Sequence, residues 1–294
     1  MITSPCLAGR DRYERSMEGW IDNTHDDAFT HTVRLTDDDA AVELEAVCTP
    51  PPGYEVRRAA ARARGGAVDP EAAERMVGLA GSRMVAGFGR RLTELSGTGP
   101  GGRLLADAGI EVARLARQVA KLPRSVIAGL TAGDARACWG LDTTGWIDLP
   151  GSCFTYSDAG RALLETRAVT TPMVADLYRP PPGARRLFVR RKIIRLVRTG
   201  PRLHLFHSMH DNVHGFDLHI EIDLDAAAVA AADCVISRLP YQGICTEPQG
   251  KIASLVGQKA DATLRKRIQT EIGGASGCAQ LYDLTADLLK LLSF

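Results

Sequence analysis

The sequence matches itself at a constant spacing, and this internal match restricts its possible folds more than any other feature. Residues 79–105 fall on residues 255–281 at an offset of 176, without gaps, and two glycines keep their places. The aligned glycines are Gly97 with Gly273 and Gly101 with Gly277. We therefore predict two copies of one folding unit, over residues 10–122 and 186–294.

A second, shorter match has an offset of 189 and aligns residues 22–25 with residues 211–214. Both segments have the pattern D-N-x-H, which reads Asp22-Asn23-Thr24-His25 in the first copy and Asp211-Asn212-Val213-His214 in the second. The first copy accommodates the difference between the two offsets in the Ala/Arg/Gly-rich stretch 59–67. We expect the two D-N-x-H segments to occupy equivalent corners of the copies.

Each copy has a strand pattern followed by a helix pattern. Residues 30–36, 187–197 and 218–224 alternate polar and apolar side chains, a period of two that is typical of a strand with one buried face. The predicted helices carry an apolar stripe and cover residues 72–95, 104–122, 252–272 and 278–292. This order predicts an α+β fold in which helices pack on an antiparallel sheet and a pseudo-twofold axis relates the two repeats.

The chain accordingly divides into a first α+β repeat at 1–122, a connecting segment at 123–185 and a second α+β repeat at 186–294. We expect the three parts to form one compact unit. The connecting segment is rich in aromatic residues, and its stretch WIDLPGSCFTY predicts two short strands around a Pro-Gly turn.

Composition excludes several functional classes. The 36 basic and 35 acidic side chains leave a net charge of +1, too small for a protein that holds nucleic acid or an anionic membrane. The apolar runs are shorter than the roughly 20 residues that a membrane span needs, and the N-terminus lacks the apolar core of a secretory signal. The 7 cysteines include no C-x-x-C pair. We expect a cytoplasmic protein that binds neither nucleic acid nor membrane, with a homodimer as its possible assembly.

The second copy also carries a series of short motifs. An apolar strand ends in Asp, Pro-Tyr and Cys follow, and then come L-x-G and G-G-x-x-G-C-x-x-L before the last helix. These motifs stand at Asp223, Pro240-Tyr241, Cys245, Leu255–Gly257 and Gly273–Leu281. The pattern resembles a bacterial family known as domain of unknown function 2889. Its members usually carry Thr-His where this chain has Ala279-Gln280. The resemblance implies a bacterial, soluble protein, and it implies no established activity.

Histidines are concentrated in one segment of the second copy. The members of this group are His204, His207, His210, His214 and His219. Imidazole changes charge near neutral pH, so this density favours proton transfer or metal ligation. In each D-N-x-H segment the aspartate, Asp22 or Asp211, can orient the histidine three residues on, His25 or His214. Two alternatives remain: an Asx-type turn with no catalytic role, and a metal site, which we disfavour because no Glu or Cys ligands accompany the histidines.

Other candidate residues surround this segment. Tyr241 and Cys245 follow a proline and could point a phenol or a thiol into a cavity, although a packed turn with an inert cysteine also fits. The glycines at 273, 274 and 277 predict close packing at a helix start rather than an anion site, because the lysine of a phosphate loop is missing. The predicted substrate-binding residues are largely aromatic, namely Trp20, Trp146, Phe154, Tyr156 and His219.

The sequence contains no motif for a nucleotide or redox cofactor. We therefore predict a cofactor-independent lyase or isomerase that acts on a small aromatic or carbonyl-bearing compound in bacterial catabolism. Proton abstraction would precede elimination, C–C cleavage or isomerisation. We predict that His210 and His214 transfer the proton, that Asp211 orients them and that Tyr241 assists, with Asp22 and His25 contributed by the first copy. The alternative is a non-catalytic protein that binds a hydrophobic ligand, and a third possibility is a metal-dependent hydrolase.

Overall fold

A computed structural model describes residues 2–143, 145–147 and 149–294. Met1, Thr144 and Asp148, which fall within the predicted first repeat and connecting segment, lie outside the described residues. The strands are β1 (Arg12–Asp22), β2 (Phe29–Asp37), β3 (Ala40–Cys48), β4 (Val56–Gly66), β5 (Phe188–Thr199), β6 (Arg202–His210), β7 (Gly215–Asp223) and β8 (Ala228–Arg238). They form one antiparallel sheet in the order β4-β3-β2-β1-β5-β6-β7-β8.

Helices follow each set of four consecutive strands. They are α1 (Pro70–Arg75), α2 (Phe88–Ser96), α3 (Pro100–Leu115), α4 (Arg124–Ile127), α5 (Ala135–Thr143), α6 (Asp158–Thr166), α7 (Ala175–Tyr178), α8 (Leu264–Ile272) and α9 (Ala279–Leu289). The prediction of an α+β fold with helices packed on an antiparallel sheet is confirmed. Within the described residues, none of these helices has the length and hydropathy of a membrane span.

The chain folds into two compact units. The N-terminal unit comprises Arg15–Ala132 and Val174–Arg191, and the C-terminal unit comprises Met1–Glu14, Gly133–Met173 and Lys192–Phe294. Residues 123–132 and 174–185 of the predicted connecting segment belong to the N-terminal unit, and residues 133–173 belong to the C-terminal unit. The boundaries predicted at 122 and 186 do not coincide with those of the units.

The prediction of two short strands over residues 146–156 is wrong, because the described residues of this stretch form bends, turns and a short 3₁₀ helix between α5 and α6. Phe154–Tyr156 is a turn of 3₁₀ helix, and the hydroxyl of Ser157 accepts a hydrogen bond from the amide of Gly160 and thereby caps α6. The amide of Phe154 donates to the carbonyl oxygen of Gly277, 2.8 Å away. Its backbone is thus held by a distant loop instead of by a neighbouring strand.

In the N-terminal unit, α3 packs on the inner face of the sheet. Val33 of β2 and Leu44 of β3 are fully buried there. Gly19 of β1 permits the close approach, because a Cβ at this position would lie 2.8 Å from Cδ1 of Leu115. The helix predicted over residues 72–95 is interrupted instead, since Gly87 adopts a φ of 93° immediately before α2.

In the C-terminal unit, the residues of β6 alternate between a buried and a partly exposed face. Leu205 and His207 are on the buried face, which packs against α9. Nδ1 of His207 lies 3.0 Å from the carbonyl oxygen of Leu284, so this ring bonds to the helix backbone. The strand thus places His204 and His210 on the opposite face, which we call the polar face.

Both units contain the same backbone clamp. The amide of Val56 donates to the carbonyl oxygen of Ser82 over 2.9 Å, and the amide of Gly81 donates to the carbonyl oxygen of Val56 over 2.8 Å. In the C-terminal unit, the amide of Val229 donates to the carbonyl oxygen of Gln258 over 2.9 Å, and the amide of Gly257 donates to the carbonyl oxygen of Val229 over 2.8 Å. The loop glycines are 176 residues apart, which is the offset found in the sequence.

The residue two positions before each clamp valine, Val56 or Val229, also has the same conformation in both units. Tyr54 has a φ of 52° and Ala227 has a φ of 50°, both in the left-handed region that L-residues rarely adopt. Their carbonyl oxygens accept from the amides of Met84 and Ala260, each over 2.8 Å. The two units therefore share local backbone structure along the longer of the two sequence matches.

The shorter match, by contrast, does not align equivalent positions. Residues 22–25 begin at the last residue of β1, the first of the N-terminal four strands, whereas residues 211–214 follow β6, the second of the C-terminal four. The prediction that the two D-N-x-H segments occupy equivalent corners is wrong, because they lie at different positions in the order of strands. A four-residue match is short enough to recur in any turn that begins with aspartate.

Candidate functional site

The turn between β6 and β7 is organised around the carboxylate of Asp211. Its Oδ1 accepts hydrogen bonds from the amides of Val213 and His214, at 2.8 and 2.7 Å. The amide of Asp211 donates to the carbonyl oxygen of His214, 2.9 Å away, and closes the turn. The predicted Asx-type turn is therefore present.

The same carboxylate also contacts the ring of His214. Nδ1 of His214 lies 3.1 Å from Oδ1 and 3.2 Å from Oδ2 of Asp211. The side chain of Asp211 is 0% exposed and that of His214 is 9% exposed. A carboxylate facing Nδ1 holds the proton on that nitrogen and leaves the lone pair on Nε2. Nε2 of His214 makes no hydrogen bond to the described part of the chain.

The turn itself does not require a histidine. Oδ1 of Asp37 accepts from the amides of Asp39 and Ala40 in the β2–β3 turn, at 3.0 and 2.8 Å. Oδ1 of Asp223 accepts in the same way from Asp225 and Ala226, at 3.0 and 2.9 Å. Alanine occupies the fourth position in both of these turns. The imidazole at position 214 is thus an addition to a turn that forms without it.

Two further side chains border the ring. Phe216 stacks on His214 with 6.4 Å between ring centroids and 30° between planes. The guanidinium of Arg238, at the end of β8, donates to the carbonyl oxygen of Asp211. The imidazole therefore stacks on an apolar ring, and its turn is bonded to an arginine of β8.

His210, which we predicted to act with Asp211, lies elsewhere. Strand alternation puts it on the polar face, where its side chain is 44% exposed and Nε2 lies 3.2 Å from Oδ1 of Asp217. Its carboxylate partner is thus Asp217 of β7, and the prediction that Asp211 orients both histidines is wrong for His210. The sequence did not predict Asp217 as this partner, because the contact depends on the register between β6 and β7.

The remaining histidines of the segment form a stack on the polar face. His204 and His219 have 5.9 Å between centroids and 15° between planes. Nδ1 of His204 lies 3.5 Å from Glu221, and Nδ1 of His219 lies 3.5 Å from Asp233. His219, predicted to bind substrate, is therefore part of a partly exposed network of imidazoles and carboxylates.

The first D-N-x-H segment, in the N-terminal unit, forms no comparable pair. Oδ1 of Asp22 accepts from the amide of Arg186 over 2.6 Å, and the ammonium of Lys121 bonds to Oδ1 of Asn23 and the carbonyl oxygen of His25. The ring of His25 is exposed. Within the described residues, no hydrogen bond joins this ring to Asp22. The contacts of Asp22 hold a loop together.

Tyr241, the predicted assisting residue, belongs to a separate buried cluster. Its hydroxyl donates to Oδ2 of Asp142 over 2.6 Å, and the hydroxyl of Tyr156 donates to the same oxygen over 2.8 Å. The two tyrosine rings meet edge to face with 6.0 Å between centroids. Asp142 is buried. It was missed because no local pattern marks an aspartate whose partners lie 14 and 99 residues away.

Cys245 lies beside this cluster. Its Sγ is 2.9 Å from the hydroxyl of Thr155, whose carbonyl oxygen accepts from the indole of Trp139. Burial raises the pKa of the Cys245 thiol to about 12. A thiol with that pKa remains protonated at neutral pH, which favours the inert cysteine among the alternatives considered.

The aromatic residues predicted to bind substrate have different surroundings. Trp20, in the N-terminal unit, contacts the guanidinium groups of Arg34 and Arg186, which lie 4.9 and 4.7 Å from the centroid of its ring. In the C-terminal unit, Trp146 is 43% exposed, Phe154 is half-buried and Tyr156 bonds to Asp142. The contacts described for these four residues differ and do not define one ligand site.

The three histidines with H-x2-H-x3-H spacing do not converge on one point either. His207 faces the helices, His210 lies on the polar face, and His214 follows the strand. Among the described residues, no group of three or more His, Cys, Asp or Glu side chains is arranged to hold a metal ion.

Comparison with known proteins bears on the segment that contains the Asp211–His214 pair. Residues 199–292 match the family described as Protein of unknown function (DUF2889). The resemblance predicted for the C-terminal copy is confirmed, and the matched segment contains β6 to β8, α8 and α9. Neither a curated protein nor a solved structure matches the chain.

Proposed function

We propose that the chain catalyses proton transfer to or from a small organic substrate, with Nε2 of His214 as the group that carries the proton. One observation supports this proposal above all others. The buried carboxylate of Asp211 faces Nδ1 of His214 at 3.1 and 3.2 Å, while Nε2 makes no hydrogen bond within the described residues. A carboxylate–imidazole pair of this kind fixes the tautomer and stabilises the imidazolium that forms when the base takes a proton.

The surroundings strengthen this pair. Asp211 is fully shielded from water, so its charge is screened less than that of a surface carboxylate. Two backbone amides keep Oδ1 in place, so the carboxylate does not have to reorganise when the ring becomes charged. His214 is dispensable for the turn, as the alanines after Asp37 and Asp223 indicate.

As reaction class we propose a lyase or isomerase that removes a proton next to a carbonyl or an aromatic ring. Elimination, C–C cleavage or isomerisation would follow from the resulting carbanion or enolate. Phe216 supports a substrate with an apolar part, because it presents a ring beside His214. Tyr241 is not part of this proposal, because its hydroxyl bonds to the buried Asp142. Asp22 and His25 are not part of it either, because their contacts hold a loop together.

The repeated clamp at Gly81 and Gly257 supports a duplication, in which the N-terminal half is a diverged copy of the family unit. None of the seven cysteines, all of which the structure describes, forms a disulfide, which supports a reducing compartment such as the bacterial cytoplasm.

The experiment uses hydrogen exchange in D₂O, because proton abstraction is visible there before any complete reaction is known. A panel of aryl ketones, aldehydes and 2-oxo acids is incubated with the full chain, and loss of the α-proton signal is followed by NMR. We expect exchange with the wild type and a loss of about 100-fold or more with His214→Ala. Asp211→Asn should lose nearly as much, because an amide does not stabilise the imidazolium.

His25→Gln is the matched control, because His25 has the same sequence context but an exposed ring. It should exchange the substrate at the wild-type rate. Circular dichroism establishes that each variant is folded. Exchange that persists in folded His214→Ala, or that is absent from the wild type across the panel, would falsify the proposal.

A further inference from the structure

A notch in the polar face of the C-terminal unit lies over Gly215. A Cβ built on Gly215 would stand 2.2 Å from Oγ of Ser237 and 3.2 Å from Nδ1 of His210. The space that any other residue would fill is therefore taken by a hydroxyl from one neighbouring strand and an imidazole from the other. The backbone nitrogen of Arg238 borders the same point at 3.3 Å.

Ser237 reaches the notch because of an irregularity in β8. Gly215 pairs with Arg238 and Phe216 pairs with Ile236, so Ser237 is an extra residue with no partner in β7. A β-bulge of this kind bends the strand and redirects a side chain, and bulges are frequent beside active sites. Within the described residues, the hydroxyl of Ser237 makes no hydrogen bond.

The imidazole on the other side of the notch is oriented by a carboxylate. Nε2 of His210 lies 3.2 Å from Oδ1 of Asp217, which is two residues from Gly215 on the same strand face. The carboxylate holds the proton on Nε2, and the lone pair of Nδ1 then faces the notch. The nitrogen that can accept a proton is thus the one next to Ser237.

We propose that Ser237, His210 and Asp217 form a nucleophile–base–carboxylate triad for acyl transfer from small esters to water. This site is independent of the Asp211–His214 pair and does not rest on the function proposed above. The roles of the two ring nitrogens are exchanged relative to the familiar serine hydrolase triad, in which the carboxylate faces Nδ1. What matters for the chemistry is that one nitrogen is held by the carboxylate while the other faces the hydroxyl.

The proposed reaction has two steps. Oγ of Ser237 attacks the carbonyl carbon of the ester, its proton moves to Nδ1 of His210, and the bond to the alkoxide breaks as that group takes the proton and leaves as an alcohol. Water then adds to the acyl-serine, gives a proton to Nδ1, and releases the carboxylic acid while Ser237 regains its proton. Glycine at position 215 allows Oγ and Nδ1 to share this site, because a Cβ there would clash with Oγ and crowd Nδ1.

Covalent labelling tests the triad without a known substrate. A fluorophosphonate probe transfers its phosphonyl group to an activated serine with loss of fluoride, and mass spectrometry of the intact chain and its peptides locates the adduct. We expect one adduct, on Ser237, at pH 8. His210→Gln and Asp217→Asn should slow labelling by about tenfold or more, because both remove part of the base.

Ser208→Ala is the matched control, since Ser208 pairs directly with Asp217 across β6 and β7 but lies away from Gly215. It should be labelled at the wild-type rate. Hydrolysis of p-nitrophenyl acetate should be lost in Ser237→Ala. If folded wild-type protein takes up no probe, or takes it up on another serine, the triad is refuted, and the same holds if His210→Gln labels at an undiminished rate.

Discussion

The hydroxyl of Tyr241 donates a hydrogen bond to a carboxylate oxygen of Asp142, 2.6 Å away, in a part of the C-terminal unit that solvent does not reach. Removing this hydroxyl leaves a buried carboxyl acceptor with one donor fewer. We expect Tyr241→Phe to lower the free energy of unfolding by about 1–3 kcal/mol, as measured by urea denaturation. Tyr282→Phe, on the half-buried face of α9, should change it by less than about 0.5 kcal/mol. If Tyr241 were catalytic, Tyr241→Phe would instead slow the exchange of the substrate's α-proton and leave the free energy of unfolding unchanged.

His31 makes the stability of the chain depend on pH. Its ring is fully buried on the inner face of β2, and burial lowers its pKa to about 4 from the ordinary 6.5. The unfolded chain therefore binds a proton between these two values that the folded chain does not, so stability falls as the pH is lowered through this window. Protonation of this ring costs on the order of 3 kcal/mol in total.

We expect His31→Leu to lose less stability than the wild type between pH 6.5 and pH 4, because leucine has no proton to bind. Urea denaturation of both proteins across this range measures the difference, and carboxylates that titrate in both cancel from it. His25→Gln, at an exposed site, should follow the wild type. If the unfolding free energies of His31→Leu and the wild type fall equally with pH, the lowered pKa of His31 is contradicted.

Gly277 precedes α9 and is enclosed by backbone. A Cβ at this position would lie 2.2 Å from the carbonyl oxygen of Ile272 and 2.5 Å from that of Gly273. Because backbone cannot rotate away as a flexible side chain can, Gly277→Ala should lower the unfolding free energy by about 1–3 kcal/mol. Gly250→Ala, where no atom lies within 4 Å, should stay within about 1 kcal/mol of the wild type. The melting temperatures of the two variants measure this difference. Equal melting temperatures would contradict the close backbone contacts at Gly277.

Buried thiols should resist alkylation in the folded chain. Burial raises the pKa of Cys245 and of Cys48 to about 12, so almost no thiolate is present at pH 8. Iodoacetamide should therefore leave both unmodified until guanidinium unfolds the protein, as peptide mass spectrometry will show. Rapid modification of Cys245 under native conditions would indicate the reactive thiol that we do not expect.

The sequence predicts those parts of the molecule that depend on local patterns. Strands β2, β5 and β7 follow from alternation of polar and apolar residues, and α3 and α9 follow from apolar stripes after a glycine-rich break. The Asp211–His214 pair is also local, because its two residues belong to one turn. Each of these features is set by neighbours within a few residues along the chain.

The features that sequence reasoning missed depend on how distant segments pair. The bulge at Ser237 exists only relative to the register of β7, and Asp142 becomes a hydrogen-bond acceptor only when Tyr241 is folded beside it. The equivalence of the two D-N-x-H segments was wrong for a related reason. An aspartate turn recurs wherever strands are connected closely, so a match of four residues does not identify the position of a turn within the sheet.

The clamps at Val56 and Val229 have a consequence for self-association. β4 and β8 are the outermost strands of the sheet, and each clamp ties the first residues of one of them to the chain's own loop. Beyond its clamp β4 carries arginines such as Arg62, whose charges repel a second copy, whereas β8 presents Val235 with 64% of its surface exposed. Aggregation by strand addition would therefore begin on β8, and a lysine at position 235 is the smallest change that should suppress it.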